Sequence, residues 1–160
     1  MKIQIAAIGR LKKSGESELC ERYLKRLNGI GKNIGFGRTE ILESAEAKGG
    51  TASVRRNREA ERLLAQTEGA SFVIALDENG RTMSSKEFAN TLAKIRDAGH
   101  STVAFLIGGP DGHGDKLANQ ADLVLSLSPM TLPHGLARTV LLEQLYRTGT
   151  ILAGHPYHRQ

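Results

Sequence analysis

Four short apolar runs, each closed by glycine, serine, aspartate or proline, constrain this chain more than any other feature. They are IQIAAIG near Ile3, FVIAL near Phe72, TVAFLIGG near Thr102 and LVLSLS near Leu123. Three are nearly continuous, the pattern of strands buried on both faces of a parallel sheet. The segments between them have helical periodicity. SSKEFANTLAKIRDAG sets Ser84 and Glu87 at capping-box spacing and ends at Gly99. SELCERYLKRL and VRRNREAERLLAQ read as amphipathic helices. Alternation of this kind predicts an α/β fold, a mainly parallel sheet flanked by helices. The 160 residues suit one domain, 1–160. The glycine-rich NGIGKNIGFGR (28–38) reads as a flexible loop feeding a further strand around Thr39 to Leu42.

The helix expected after Pro133 is apolar over most of its circumference. At about 100° per residue, Leu136, Val140, Ala137, Leu141, Leu145, Leu142 and Tyr146 leave only a narrow polar gap, holding the i,i+4 pair Glu143 and Arg147. That arc is wider than one sheet face requires, so the helix is expected to be covered by its own sheet and by a second subunit. Arg138 falls inside the arc and needs a partner, either an interface ion pair or a ligand contact.

The net charge is +5 and the sequence pI near 9.6. Both fit a polyanionic partner, nucleic acid before membrane, and equally a soluble protein with a basic surface. A lone cysteine, Cys20, excludes an internal disulfide and sits in a helical pattern as a packing residue. No Cys/His set has zinc spacing, and no metal is expected. The first apolar run is too short for a signal peptide or membrane span, which makes the cytoplasm the default.

FLIGGPDGHG (105–114) is a strand running into a glycine turn, the place where open α/β sheets bind ligands. It is neither a Rossmann nor a Walker sequence. VIALDENG, ending at Leu76–Asp77, and VLSLSPMTLPHG finish in similar turns. The three strand ends either converge on one pocket or are three unrelated loops. If they converge, Leu76, Gly108 and Leu127, Ser128, Pro129, Met130, Thr131 and Leu132 would combine backbone donors with an apolar wall for an aromatic group such as adenine. In the terminal HPYHRQ, Tyr157 offers a stacking face and Arg159 a phosphate contact, while His155 and His158 are imidazoles able to exchange a proton. Pro156 favours order there against the usual fraying of chain ends. His100, His113 and His134, beside glycine or proline, read as loop residues.

Taken together and in this order, LIGGPDG, LSPMTLPHGLAR, LLEQLYR and HPYHR resemble the bacterial SPOUT methyltransferases that modify pseudouridine in large-subunit ribosomal RNA. The likeness covers nearly the whole chain, with departures at Gly135 and in the DGHG turn. It implies a deep trefoil knot in the C-terminal part, which topology alone would disfavour. It also implies a homodimer through the C-terminal helix, with S-adenosylmethionine in the knot and 23S rRNA in the assembled ribosome as substrate. The implied reaction is methylation of a pseudouridine at N3, whose proton a base must take, with His155 and His158 as candidates. Arg138, Tyr157 and Arg159 would face the RNA. A non-catalytic ribosome-binding factor, or an α/β enzyme holding another nucleotide, are the rival expectations.

Overall fold

A computed structural model describes residues 1–158, the side chain of Asp115 excepted. Five strands form one sheet: β1 (Lys2–Ile8), β2 (Thr39–Ser44), β3 (Phe72–Thr82), β4 (Thr102–Ile107) and β5 (Leu123–Ser126). Their order is β2-β1-β4-β3-β5, and every neighbouring pair is parallel. The helices are α1 (Gly15–Gly31), α2 (Ala52–Gln66), α3 (Ser85–Asp97), α4 (Gly114–Ala118) and α5 (His134–Leu152). The expected parallel α/β architecture is therefore what the chain adopts.

The pleat sorts the core into two layers. On one face Ile3, Ile5, Ile74, Val103 and Phe105 meet Leu27 of α1, Phe88 and Leu92 of α3, and Leu141, Leu142 and Leu145 of α5. On the other face Ala6, Ile8, Ala75, Ala104 and Leu106 meet Ala60 and Leu63 of α2 and Leu117 beside them in α4. The capping box at Ser84 and Glu87 is formed, and Gly99 stops the helix at φ 87°. A second capping box, Ser14 with Ser17, starts α1.

Three expectations need correction. The glycine-rich stretch is not a loop at its start: α1 runs through Gly29 to Gly31, and a 3-10 turn (Lys32–Ile34) follows before Gly35 turns the chain at φ 74°. Tertiary packing overrides the poor helix propensity. Ile30 lies so close to α5 that a Cβ on Gly149 would stand 2.7 Å from its Cγ2. Nor does β3 stop at Leu76. It pairs with β5 through Leu76, bulges, and resumes at Arg81 opposite Leu125. Gly80 permits this, because a Cβ there would stand 2.7 Å from the carbonyl carbon of Leu125.

The third correction concerns Arg138 of α5. The helix lies against β4 and contacts both α1 and α3, so much of its apolar arc is covered within the chain. Burial of Leu141, Leu142 and Leu145 alone contributes roughly 1.5–3 kcal/mol each. What stays open is the outward strip that begins at Leu136, which is 43% exposed. Arg138 is completely buried. Its guanidinium donates to Glu43 Oε1 at the end of β2, and to the Gly9 carbonyl at 2.9 Å. The partner that the sequence demanded is thus an internal carboxylate, and Arg138 is no RNA contact in this fold.

Candidate active site

Because all five strands are parallel, their carboxyl ends open on one edge, and there the chain folds around a cavity of about 820 Å³. Three segments build it: the β3 bulge (76–79), the turn after β4 (107–114) and the loop after β5 (127–134), with Arg56 of α2 and Ala137 of α5 at its margins. Seven of the eight residues expected at a cofactor, namely Leu76, Gly108, Leu127, Ser128, Met130, Thr131 and Leu132, line this one cavity. Pro129 is exposed and does not line it.

Local bonds hold the three segments together. Thr131 Oγ1 donates to Glu78 Oε2 at 2.5 Å, tying the β5 loop to the β3 bulge. Ser128 Oγ accepts from the Met130 amide at 3.0 Å, and Asp77 Oδ1 from the Asn79 amide at 2.9 Å. Both are side-chain turns that stiffen a loop without regular structure. The glycine turn closes through the Gly112 amide on the Gly109 carbonyl at 3.0 Å, with Gly112 at φ 78°. Arg55 of α2 clamps it by donating to both carboxylate oxygens of Asp111, at 2.7 and 3.1 Å. The hydrogen bond holds the Asp111 carboxyl below its ordinary range.

Sequence reasoning passed over two histidines here. His134 opens α5 and faces Gly9 across the cavity edge. His113 is 5% exposed and forms part of the cavity wall. Among the described residues neither of its ring nitrogens has a hydrogen-bond partner of normal geometry. Burial pushes its pKa down from 6.5; the Leu76 and Leu106 backbones and Asp77 pull weakly the other way. A histidine held neutral in the fold but free to protonate when unfolded contributes stability above about pH 6.5 that is lost as pH falls below it. Replacing His113 with leucine is therefore expected to flatten the decline of urea-unfolding free energy as pH falls below about 6.5. An unchanged slope would mean that another group carries the acid sensitivity. Neighbouring glycines were the only sequence signal, and they pointed to a loop.

Gly108 owes its identity to this histidine. A Cβ on it would meet His113 Nδ1 at 3.0 Å and the Gly112 carbonyl carbon at 3.2 Å. It faces the turn that it supports, not open cavity. Gly109 is tighter still, its Cβ falling 2.7 Å from Glu59 Oε2.

The C-terminal segment lies elsewhere. Neither His155 nor His158 lines the cavity; His155 Nδ1 accepts from the Tyr157 amide at 3.2 Å, and His158 Nδ1 lies 3.5 Å from Arg147 Nη1. The Tyr157 hydroxyl donates to Glu143 at 3.1 Å, Arg147 covers its ring at 4.9 Å, and Tyr146 meets it edge-on at 4.8 Å. Burial, a hydrogen bond with Tyr23 and the Glu143 carboxylate raise its pKa. Tyr157 is thus an anchor for the chain end, and the ring face meant for a base is occupied by Arg147. Arg159 lies outside the described residues.

Among the described residues no group of three or more His, Cys, Asp or Glu is placed to hold a metal ion. No described helix is long and apolar enough to cross a membrane. A family model described as "Predicted SPOUT methyltransferase" matches residues 1–158. The chain is 45% identical to the "Ribosomal RNA large subunit methyltransferase H" of Mesorhizobium japonicum and 43% identical to that of Brucella anthropi, with 99% of each chain covered in both comparisons. A solved structure named "Probable Methyltransferase from Bordetella pertussis Tohama I" superposes with a TM-score of 0.50 at 12% identity, covering 91% of this chain and 95% of its own, which is a likeness of fold alone. With its parallel sheet, its three strand-end loops around one cavity and this match along almost its entire length, the chain belongs to the SPOUT methyltransferase family.

Proposed function

We propose that this chain, as a single domain over residues 1–160, transfers a methyl group from S-adenosylmethionine to N3 of a pseudouridine in large-subunit (23S) ribosomal RNA. The proposed setting is the assembled ribosome in the bacterial cytoplasm. The observation that carries this is the convergence of three strand-end loops on one cavity, in a chain 45% identical over its length to a protein named for ribosomal RNA methylation.

The residues present fit the cofactor. Leu76, Ile107, Leu127 and Leu132 make an apolar wall for an adenine, and Gly108 and Gly109 bring backbone close to the ligand. His113 carries ring nitrogens that a polar ligand group would satisfy. When bound, S-adenosylmethionine supplies a methyl group already activated on a sulfonium. The protein's task is then alignment and removal of the N3 proton. The loop 127–134 forms one wall of the cavity, and its tie to Glu78 keeps it in place. The connection from β5 through that loop into α5, between α1 and α3, is where we place the trefoil knot.

The terminal histidines do not line their own chain's cavity. α5 has 19 residues, with His134 at the cavity, and the tail turns back along its far half to Arg147 and Glu143. We propose that two copies pair through the outward strip of α5 in opposite directions. Leu136 and Met130, which is 76% exposed, lie at that strip's cavity end. His155, His158 and Arg159 of one copy would then serve the nucleotide held at the other's cavity, with Tyr157 anchoring the segment that carries them.

Calorimetry with S-adenosylmethionine tests the reading. The wild-type chain is expected to bind it, and Gly108→Ala to bind at least about tenfold more weakly while losing about 1–3 kcal/mol of stability through the crowding of His113. No heat of binding from the wild-type protein would defeat the proposal. Unchanged affinity in folded Gly108→Ala would remove Gly108 from the site.

A further inference from the structure

Resting on that reading, we propose that the cavity is continued along the sheet edge by a track for the RNA phosphate backbone. Arg56 stands at the rim, Lys48 and Arg58 beside it, and Arg10, Lys12 and Lys13 on the adjacent loop.

Topology puts these residues on one edge. β1 is next to β4 and β2 next to β1, all parallel, so the loops leaving β1 and β2 open beside the cavity. The first carries Arg10, Lys12 and Lys13, all exposed. It is anchored at the cavity by Gly9 against His134, and at the end of β2 by the Leu11 amide, which donates to Glu43 Oε1 at 3.0 Å. The second carries exposed Lys48, whose carbonyl accepts from Arg58 Nη1 at 3.4 Å. Arg56, two residues earlier in α2 and so about half a turn around it, lines the cavity itself.

The charge on these segments is one-sided. Residues 9–14 and 45–58 hold seven Lys or Arg (10, 12, 13, 48, 55, 56 and 58), and Glu46 is the only exposed carboxylate among them. Of the seven, Arg55 is committed to Asp111. Glu59, the other acid of α2 near this edge, is buried and accepts from the Ala47 amide. The first turn of α2 contains no acidic residue, although a helix start favours one, so two arginines near it are kept against the helix's own interest. An anionic partner supplies the missing charge. The opposite edge of the sheet interrupts its basic residues with Glu68, Asp97 and Asp122.

The track's chemistry selects backbone over bases. It offers Lys and Arg without an aromatic stacking face, the set that positions a nucleic acid without reading its sequence. Val54 is the only large hydrophobic exposed among the described residues of α2, too little to insert into a lipid surface. A nucleotide entering the cavity would have its neighbouring phosphates laid along this edge. The track is therefore a positioning device for the substrate, separate from the cofactor wall.

The test measures binding of a fluorescently labelled short oligouridine across a range of potassium chloride concentrations. The triple variant Lys48→Gln/Arg56→Gln/Arg58→Gln is expected to bind at least about tenfold more weakly near 0.1 M salt. The slope of log affinity against log salt should shrink by about two, since each single-strand phosphate contact contributes roughly 0.7. Arg38→Gln, on the opposite edge, is expected to leave the slope unchanged. Thermal unfolding confirms that the variants fold. An unchanged slope in the triple variant, or an equal reduction in Arg38→Gln, overturns the track. Vesicles of phosphatidylglycerol that lose the triple variant while RNA keeps it would overturn it in favour of a membrane surface. Calorimetry of Lys48→Gln/Arg58→Gln, two exposed residues outside the cavity lining, with S-adenosylmethionine is expected to match wild type, and a loss of cofactor binding there with an intact RNA slope overturns the track. Failure of the wild-type protein to bind S-adenosylmethionine, by contrast, defeats the methyltransferase reading and leaves the salt slopes to judge the track independently.

Discussion

Glu43→Leu is expected to destabilise the fold by about 3–5 kcal/mol, because it strands the charge of a completely buried arginine. Arg138 has two partners, the Glu43 carboxylate and the Gly9 carbonyl, and its Nε has none among the described residues. Glu43 also accepts the Leu11 amide, so its loss releases the loop leaving β1 as well. Removing both charges tells a different story. Glu43→Leu/Arg138→Met replaces a buried pair by apolar volume, and should recover most of the lost stability. Urea unfolding of the two variants separates the cases. A single-variant cost below about 1 kcal/mol would mean that Arg138 finds water or another acceptor once Glu43 is gone. The pair joins the ends of β1 and β2 to the first turns of α5, and the cavity loop leads directly into that helix. Methyl transfer should therefore fall in Glu43→Leu even at temperatures where the protein remains folded.

A chain truncated after Gly154 is expected to keep S-adenosylmethionine binding and to lose methyl transfer by about 10²–10⁴-fold, the range of a removed acid–base group. Its cavity is untouched, because no residue beyond Ala137 lines it. The sharper experiment mixes two defective proteins. One is the truncated chain, with an intact cavity. The other is Gly108→Ala, with an intact tail. If each tail serves the other copy's cavity, mixed dimers contain one competent site, and tritiated methyl incorporation into ribosomes should return to about a quarter of wild type when subunits exchange at random. Sedimentation of the wild type as a monomer at micromolar concentration, or no recovery on mixing, would leave the tail without a route to the cavity. Full activity of the truncated chain would remove His155 and His158 as bases.

How much of this was legible beforehand differs from element to element. The parallel sheet could be read directly, since a strand covered on both faces has no polar side to show, and Ile3 to Ile8 and Val103 to Ile107 are almost wholly apolar. The cavity wall was legible for a related reason: strand ends of a parallel sheet share one edge, so Leu76, Gly108 and Leu127 had to emerge near each other once the strands were placed. Gly29 and Gly31 misled, because the helix they belong to is held by packing against α5, where Ile30 meets Gly149, and that contact is remote in sequence. The β3 extension was hidden as well. Asp77 to Gly80 has turn composition, and only the backbone of β5 beside Gly80 makes it strand.

The sequence by itself determined the alternation of strands and helices, the glycine turn, the capping boxes and the family to which the chain belongs, because each is written in neighbouring residues. Tertiary structure alone decided where the charges and rings went. Arg138 became an internal ion pair, since Glu43 lies 95 residues away in sequence yet at the adjacent strand end. His113 became a neutral wall group, since the glycine turn folds over it. Tyr157 became an anchor under Arg147, and α5, wedged between α1 and α3, carried the terminal histidines away from their own cavity. Local sequence encodes backbone preference and amphipathic period, but a side chain's partner is set by long-range packing, which no window of neighbours contains.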